Sequence, residues 1–245
     1  MCFSEGASLG MGVLGGVSSI VIYKYINFKA AFCLFYFALM QIIHYIGYQV
    51  IDDCNNKTNQ LMSILNYYHI CFQAPVWLIG WLGVFEKFKI VKPLHYKFMP
   101  ILISMALITS ILMVLRRFDW PTNMEFVEKT ILEKSKVNDD INDALQGKLC
   151  SSTGKYHIKF RLPLRNEPTY YSPTLFAHFL FFFLPLLLFN NTTRIIAIFT
   201  WLFGLLIPSV YLKIETSESS TVWCFLSIIQ IMIMYGYLIF KTKLN

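Results

Sequence analysis

Charge is what this chain has least of. Only 14% of its 245 residues are Asp, Glu, Lys or Arg, against about one quarter in a soluble domain. Basic residues outnumber acidic ones, 21 to 14. They form no run or patch, so the excess does not mark a nucleic-acid binder. Instead they stand at the ends of apolar segments, where Lys and Arg suit anionic headgroups. A P-loop, a dinucleotide fingerprint, a nucleophile elbow and a heptad repeat are all missing. So are HExxH and HxxxH, the compact zinc spacings. No basic residue precedes the first apolar run and no clear small-residue cleavage site follows it, so that run is read as a helix and not as a leader.

What is present is apolar: 56% of the chain. Seven apolar segments emerge, roughly 7–23, 30–51, 61–85, 98–115, 173–189, 194–212 and 221–240. Each approaches the ~20 residues that a bilayer demands. The predicted fold is an all-α membrane protein, a seven-helix bundle forming one domain over 1–245, with residues 116–172 as a long loop inserted in it. In the first segment, Ser8, Gly12 and Gly16 recur every four residues, a spacing that lets another helix approach closely.

The short connections carry nine Lys or Arg on one side (Lys24, Lys29, Lys87, Lys89, Lys92, Lys97, Arg194, Lys241, Lys243) and two on the other (Lys57, Lys213). The nine-residue side is expected to be cytoplasmic, with the N-terminus outside and the C-terminus inside. The Arg116–Arg117 pair opposes this, but it opens a long loop, and long loops count less.

Within the long loop, Asp119-Trp120-Pro121 reads as a helix start. Further on, Lys155, His157, Lys159 and Arg161 alternate with Tyr156, Ile158, Phe160 and Leu162. That period of two predicts a half-buried strand whose basic face is solvated or, as the alternative, contacts headgroups or an acidic partner. Ser151-Ser152-Thr153-Gly154 before it reads as the turn of a small hairpin. Cys2, Cys54 and Cys150 fall on the expected outer side. Cys54–Cys150 is the most natural disulfide, with Cys2 as another partner. Cys33, Cys71 and Cys224 read as buried thiols within spans. Asn56-Lys57-Thr58 matches a glycosylation acceptor, close to the membrane surface.

The second and third segments carry polar stripes. Gln41, His44, Tyr45 and Tyr48 share a face at 100° per residue, as do Asn66, His69, Gln73 and Trp77. Polar groups facing lipid are costly, so the stripes are expected to face each other. A rise of 1.5 Å per residue puts His44 about 10 Å and His69 about 12 Å below the outer end of their helices. His178 and Gln230 fall at similar depth on the fifth and seventh segments, and Pro75 and Pro208 would kink their helices nearby. The candidate site is therefore an outward-facing polar pocket lined by Gln41, His44, Tyr48, Asn66, His69, Gln73, His178 and Gln230.

Several strings resemble one known family. The opening MCFSEGAS is similar to the Met-Cys-Trp/Phe-Ser start of small multi-pass membrane proteins of unknown function found in bacteria and large DNA viruses. FALMQIIHYIGYQVIDDC, LNYYHICFQAP, GKYHIKFRLPLRN and TVWCFLSI also look like that family's blocks. This sequence departs from them at Gln41, where Glu is common, and at His44, where Gln is common. The resemblance implies seven helices and supplies no activity. The richness in Lys, Ile, Asn, Tyr and Phe is similar to proteins of AT-rich genomes such as those of large amoebal viruses. A viral origin would place the chain in a host membrane.

Three functions stay open. The pocket binds or transports a small polar or amphipathic ligand, a lipid among them, with no cofactor. Or His44, His69 and His178 hold a catalytic zinc for an intramembrane hydrolase, with Asp52 or Glu5 as base. Or the polar groups only hold the bundle together. The orientation has a direct test. A cysteine introduced beside Asn245 is expected to react with an impermeant maleimide only after cells are permeabilised, and labelling of intact cells would reverse the topology.

Overall fold

A computed structural model describes residues 4–89, 93–115, 149–161, 180–183, 195, 198 and 216–244. It is mostly helical. In chain order the described elements are α1 (Glu5–Tyr25), α2 (Phe28–Tyr48), α3 (Lys57–Phe88), α4 (Pro93–Leu115), β1 (Cys150–Thr153), β2 (Ile158–Arg161) and α5 (Thr216–Leu244). Among the described residues, five helices are long and apolar enough to cross a membrane. The fifth and sixth apolar segments lie largely outside the described residues. Positions 180–183, 195 and 198 within them are helical. The expected helix from Asp119 also lies outside.

The helix starts follow side-chain capping. Ser4 Oγ accepts from Ala7 N at 3.3 Å, Asn27 Oδ1 from Ala30 N at 3.1 Å, and Asn56 Oδ1 from Thr58 N at 2.8 Å. Each satisfies a backbone donor left open by the helix geometry. Asn56 thus uses its amide oxygen as a cap within the glycosylation acceptor. Asn27 also donates to Gly83 O at 2.8 Å, tying the start of α2 to the end of α3. Lys29 pairs with Glu86 at the same end, and Tyr96 donates to Glu86 at 2.8 Å.

α1 packs on α2 through small residues, but in a different register from the expected one. Gly12 lies against Ile42, and Gly15 lies against Ala38 and Ile228. Gly16 faces open space. Helical geometry explains the shift: Ser8, Gly12, Gly15 and Ser19 follow the 3–4 alternation of a single buried face, whereas a strict four-residue step drifts off it. The core is aromatic. Phe37, Trp77, Trp81, Phe85 and Tyr235 come together from α2, α3 and α5. Trp77 Nε1 donates to Phe182 O at 3.1 Å, which brings the described part of the fifth segment into this core. α3 continues through Pro75 without interruption.

The hairpin forms where the alternation predicted a strand, with one correction. Ser151–Thr153 are strand, not turn: β1 pairs antiparallel with β2, Cys150 opposite Arg161 and Thr153 opposite Ile158. The turn falls later, and Gly154 N donates to His157 O at 2.9 Å across it. The Cys54–Cys150 disulfide forms, across 96 residues of sequence. Cys33, Cys71 and Cys224 are buried free thiols. Asn59, in the first turn of α3, reads β1 like a neighbouring strand. Its Nδ2 donates to Ser151 O at 2.9 Å and its Oδ1 accepts from Ser151 N at 2.7 Å. Asp52 sits in the left-handed region at φ 66°, which Asp tolerates better than most residues. There its carboxylate accepts from Thr153 N at 2.8 Å and Thr153 Oγ1 at 2.5 Å.

Gly154 has no room for a side chain. A Cβ there would strike the His157 carbonyl and lie 2.6 Å from the Glu218 carboxyl carbon. Gly154→Ala is therefore expected to lower the thermal unfolding midpoint by several degrees. Gly16→Ala, in open space within a helix, is expected to leave it unchanged or raise it. Equal effects of the two changes would refute this account of the turn.

Candidate functional site

The polar stripe of α3 is built on a seven-residue repeat. Asn59, Asn66 and Gln73 lie two turns apart on one face, and all three are buried. Each meets a different neighbour. Asn59 binds the hairpin, as above. Gln73 donates to Cys224 Sγ on α5 at 2.9 Å. Asn66 stands beside His44 of α2, close enough to interact with it electrostatically. Yet neither amide atom of Asn66 and neither ring nitrogen of His44 makes a hydrogen bond of ordinary geometry among the described residues. Gln41, one turn along α2 from His44, is also fully buried, with both amide atoms unpartnered among the described residues.

His69 is engaged instead. Its Nε2 faces Tyr36 O at 2.6 Å, its Nδ1 faces Gln73 Nε2 at 3.4 Å, and its ring stacks on Tyr36 at 4.0 Å. Tyr36 donates back to His69 O at 2.8 Å. Because Gln73 Nε2 only donates, Nδ1 is the acceptor and the proton sits on Nε2. Both nitrogens are used, so this arrangement leaves no lone pair on His69 for a metal. No group of three or more potential ligands occurs among the described residues. Gln230 is buried and unpartnered among them. It lies seven residues, about two turns, from Trp223 of α5, whose ring meets Phe182 and Phe183. His178 lies outside the described residues. The structure thus sets Asn66 beside His44, with Gln41 one turn along α2, while His69 and Gln73 are bonded to each other and to other groups.

The hairpin supplies what the sequence did not suggest. His157 was expected on a solvated basic face, but it is fully buried. It belongs to the turn and not to β2, so the strand alternation does not govern it. Its ring meets His44 edge-on at 4.7 Å and stacks against Tyr48 at 5.7 Å. Tyr48 Oη lies 2.8 Å from its Nδ1, and Ile158 N donates to the same nitrogen at 2.9 Å. Nδ1 is therefore the acceptor, and the ring is a neutral Nε2–H tautomer. Burial pushes the His157 imidazole down to about 3. Glu218, in the first turn of α5, holds the turn in place. Its carboxylate accepts from the backbone N–H groups of Lys155 at 3.0 Å, Tyr156 and His157. Thr221 adds a bond to Ile158 O at 2.7 Å.

A family described as of unknown function, DUF5765, matches residues 6–244. The chain belongs to that family. No curated protein and no solved structure matches it. In this DUF5765 member, the site is defined by geometry alone.

Two residues of that geometry escaped the sequence reading. Glu218 had one signal, an acid in the polar segment just before TVWCFLSI, where a helix N-terminus favours negative charge. Its partners, backbone N–H groups 61 to 63 residues earlier, leave no trace in composition. His157 was hidden by the basic residues around it.

The neutrality of His157 sets a pH dependence. Its folded pKa, about 3, lies below the ordinary 6.5. Above pH 6.5 both folded and unfolded chains carry it neutral, and its contribution is complete. As pH falls from 6.5 towards 3, the unfolded chain takes up a proton that the folded one does not, and stability is lost. Thermal unfolding in detergent is expected to drop through that window, and His157→Gln is expected to flatten the slope. An unchanged slope in the variant would exclude His157 as the source.

Proposed function

We propose that this chain is a multi-pass integral membrane protein with seven spans and the hairpin end outward, and that it binds a small polar or amphipathic molecule at Gln41, His44 and Asn66. The observation that carries the reading is the set of fully buried polar atoms at these three residues that lack partners among the described residues. Such groups cost about 1–3 kcal/mol each when left unpaired. Natural interiors rarely concentrate them without water or a ligand.

The surface supports the membrane setting. Val17 and Ile20 on α1 are 58% and 69% exposed, and Ile108 on α4 is 58% exposed. An apolar exterior around polar interior groups suits lipid and not water. Chain parity supports seven spans. α4 ends and α5 begins at the hairpin end, since Tyr67 bonds Met113 O there and Glu218 bonds the turn. On this proposal the fifth and sixth apolar segments of the sequence make two further crossings between them. The disulfide and the capped acceptor at Asn56 stand at that end, while Lys24, Lys29, Lys87 and Lys89 stand at the other. This supports an outward hairpin and a cytoplasmic C-terminus.

The structural alternative draws on the satisfied half of the network: Asn59 on Ser151, His69 on Tyr36 and Gln73 on Cys224. The zinc hydrolase draws less support, since both nitrogens of His69 are bound elsewhere.

Gln41→Leu separates binding from structure. Protein extracted with its native lipid shell is compared with protein stripped in detergent. Wild type is expected to lose thermal stability on stripping, while Gln41→Leu loses little, being already low in the native shell. A variant at least as stable as wild type in both preparations would leave only the structural reading.

A further inference from the structure

The polar site has an unusual chemical inventory. Every group in it is neutral, and every group both donates and accepts. Gln41 and Asn66 each present a carbonyl oxygen and an NH₂, and neutral imidazole at His44 presents one N–H and one lone pair. His44 and Asn66 stand close enough to interact, yet neither makes a hydrogen bond of ordinary geometry among the described residues, an arrangement that a third polar group can complete. Among the described residues, the carboxylates at this end of the bundle are already engaged elsewhere. The Glu218 carboxylate already accepts three backbone N–H groups. The Asp52 carboxylate is spent on Thr153. His157 is a neutral acceptor to Ile158 N. No Lys or Arg lies on the buried faces of α2 and α3 between Phe37 and Tyr48 or between Asn59 and Trp81.

An ion entering such a site would give up its hydration with no unengaged opposite charge among the described residues to meet it, which is strongly unfavourable. An uncharged group with both donors and acceptors loses nothing comparable, because each of its bonds finds a complement. Its position also suits such a group. His44 lies beneath the hairpin, beside His157 and within 6.1 Å of the Phe160 ring, so an apolar wall adjoins the polar groups.

Resting on the binding reading above, we infer that the site at Gln41, His44 and Asn66 selects an uncharged hydroxyl- or amide-bearing group, and rejects carboxylates, phosphates and ammonium ions. Such chemistry comes either from a neutral lipid headgroup or from a free polyol.

The test uses the full chain in nanodiscs and three probes: 1-mono-oleoylglycerol, glycerol, and oleate, which keeps the acyl chain and replaces the diol with a charge. Binding is measured by equilibrium retention of labelled probe and by shift of the unfolding midpoint. Mono-oleoylglycerol retained saturably, with glycerol weak, identifies the lipid source. Glycerol retained with comparable affinity identifies the free polyol. Either result, with oleate at least tenfold weaker, supports the inference. Asn66→Leu is expected to weaken the retained probe at least tenfold, and Asn66→Gln, which keeps the amide, to restore part of it. Because Asn66→Leu could also disturb the fold, its Cys54–Cys150 disulfide is checked by mass mapping. Oleate bound as tightly as the diol, and lost in Asn66→Leu, would overturn the neutral class while leaving a site. No saturable probe, together with a raised unfolding midpoint in Asn66→Leu, would overturn the site itself and leave a water-filled or purely structural cluster.

Discussion

A single buried carboxylate organises one end of this protein. Glu218 collects the backbone N–H groups of three consecutive hairpin residues. An ionised carboxylate in an apolar interior is costly unless hydrogen bonds replace its water, and several backbone donors do so. The bargain works in both directions. The turn residues gain an acceptor for donors that no strand partner could satisfy, and α5 gains an anion in its first turn. With the turn held, His157 is delivered against His44 and Tyr48, and Ile158 and Phe160 enter the bundle.

Three further ties reinforce this docking from α3 and the connection that precedes it. The disulfide joins Cys54 to Cys150. Closing a loop of that size restricts the unfolded chain, an effect typically worth 2–5 kcal/mol. Asn59 matches both backbone groups of Ser151, and Asp52 captures Thr153. The hairpin is thereby a fixed cap over the polar residues of α2 and α3. Those residues then divide sharply. Where a partner lies within reach, as for His69 and Gln73, it is used. At Gln41, His44 and Asn66 the polar atoms make no hydrogen bond of ordinary geometry among the described residues. That contrast, on two adjacent helices, is why the unpartnered set reads as a site and not as poor packing.

The helices themselves were legible from periodicity and length. Segments near 7–23, 30–51, 61–85, 98–115 and 221–240 appear as α1 to α5, each extended or trimmed by a few residues where Ser4, Asn27 and Asn56 cap. The polar faces of α2 and α3 were legible for the same reason: a 100° step per residue is intrinsic to a helix. The disulfide was legible because few cysteines fell on one side. The strand at 158–161 was legible from its period of two.

What the sequence by itself determined is thus local: that five stretches are helix, which face of α2 and of α3 is polar, and that β2 is a strand. Only the tertiary structure decided that His157 turns inward, that Glu218 holds it there, and that Gly15 and not Gly16 meets α2. The physical reason is that these outcomes depend on contacts between residues far apart in the chain. A one-residue shift of a turn or a 100° rotation of a helix reverses them without changing any local preference. The division of the polar stripe into bonded and unbonded members is of the same kind, because it is set by which groups from other helices arrive within about 3 Å.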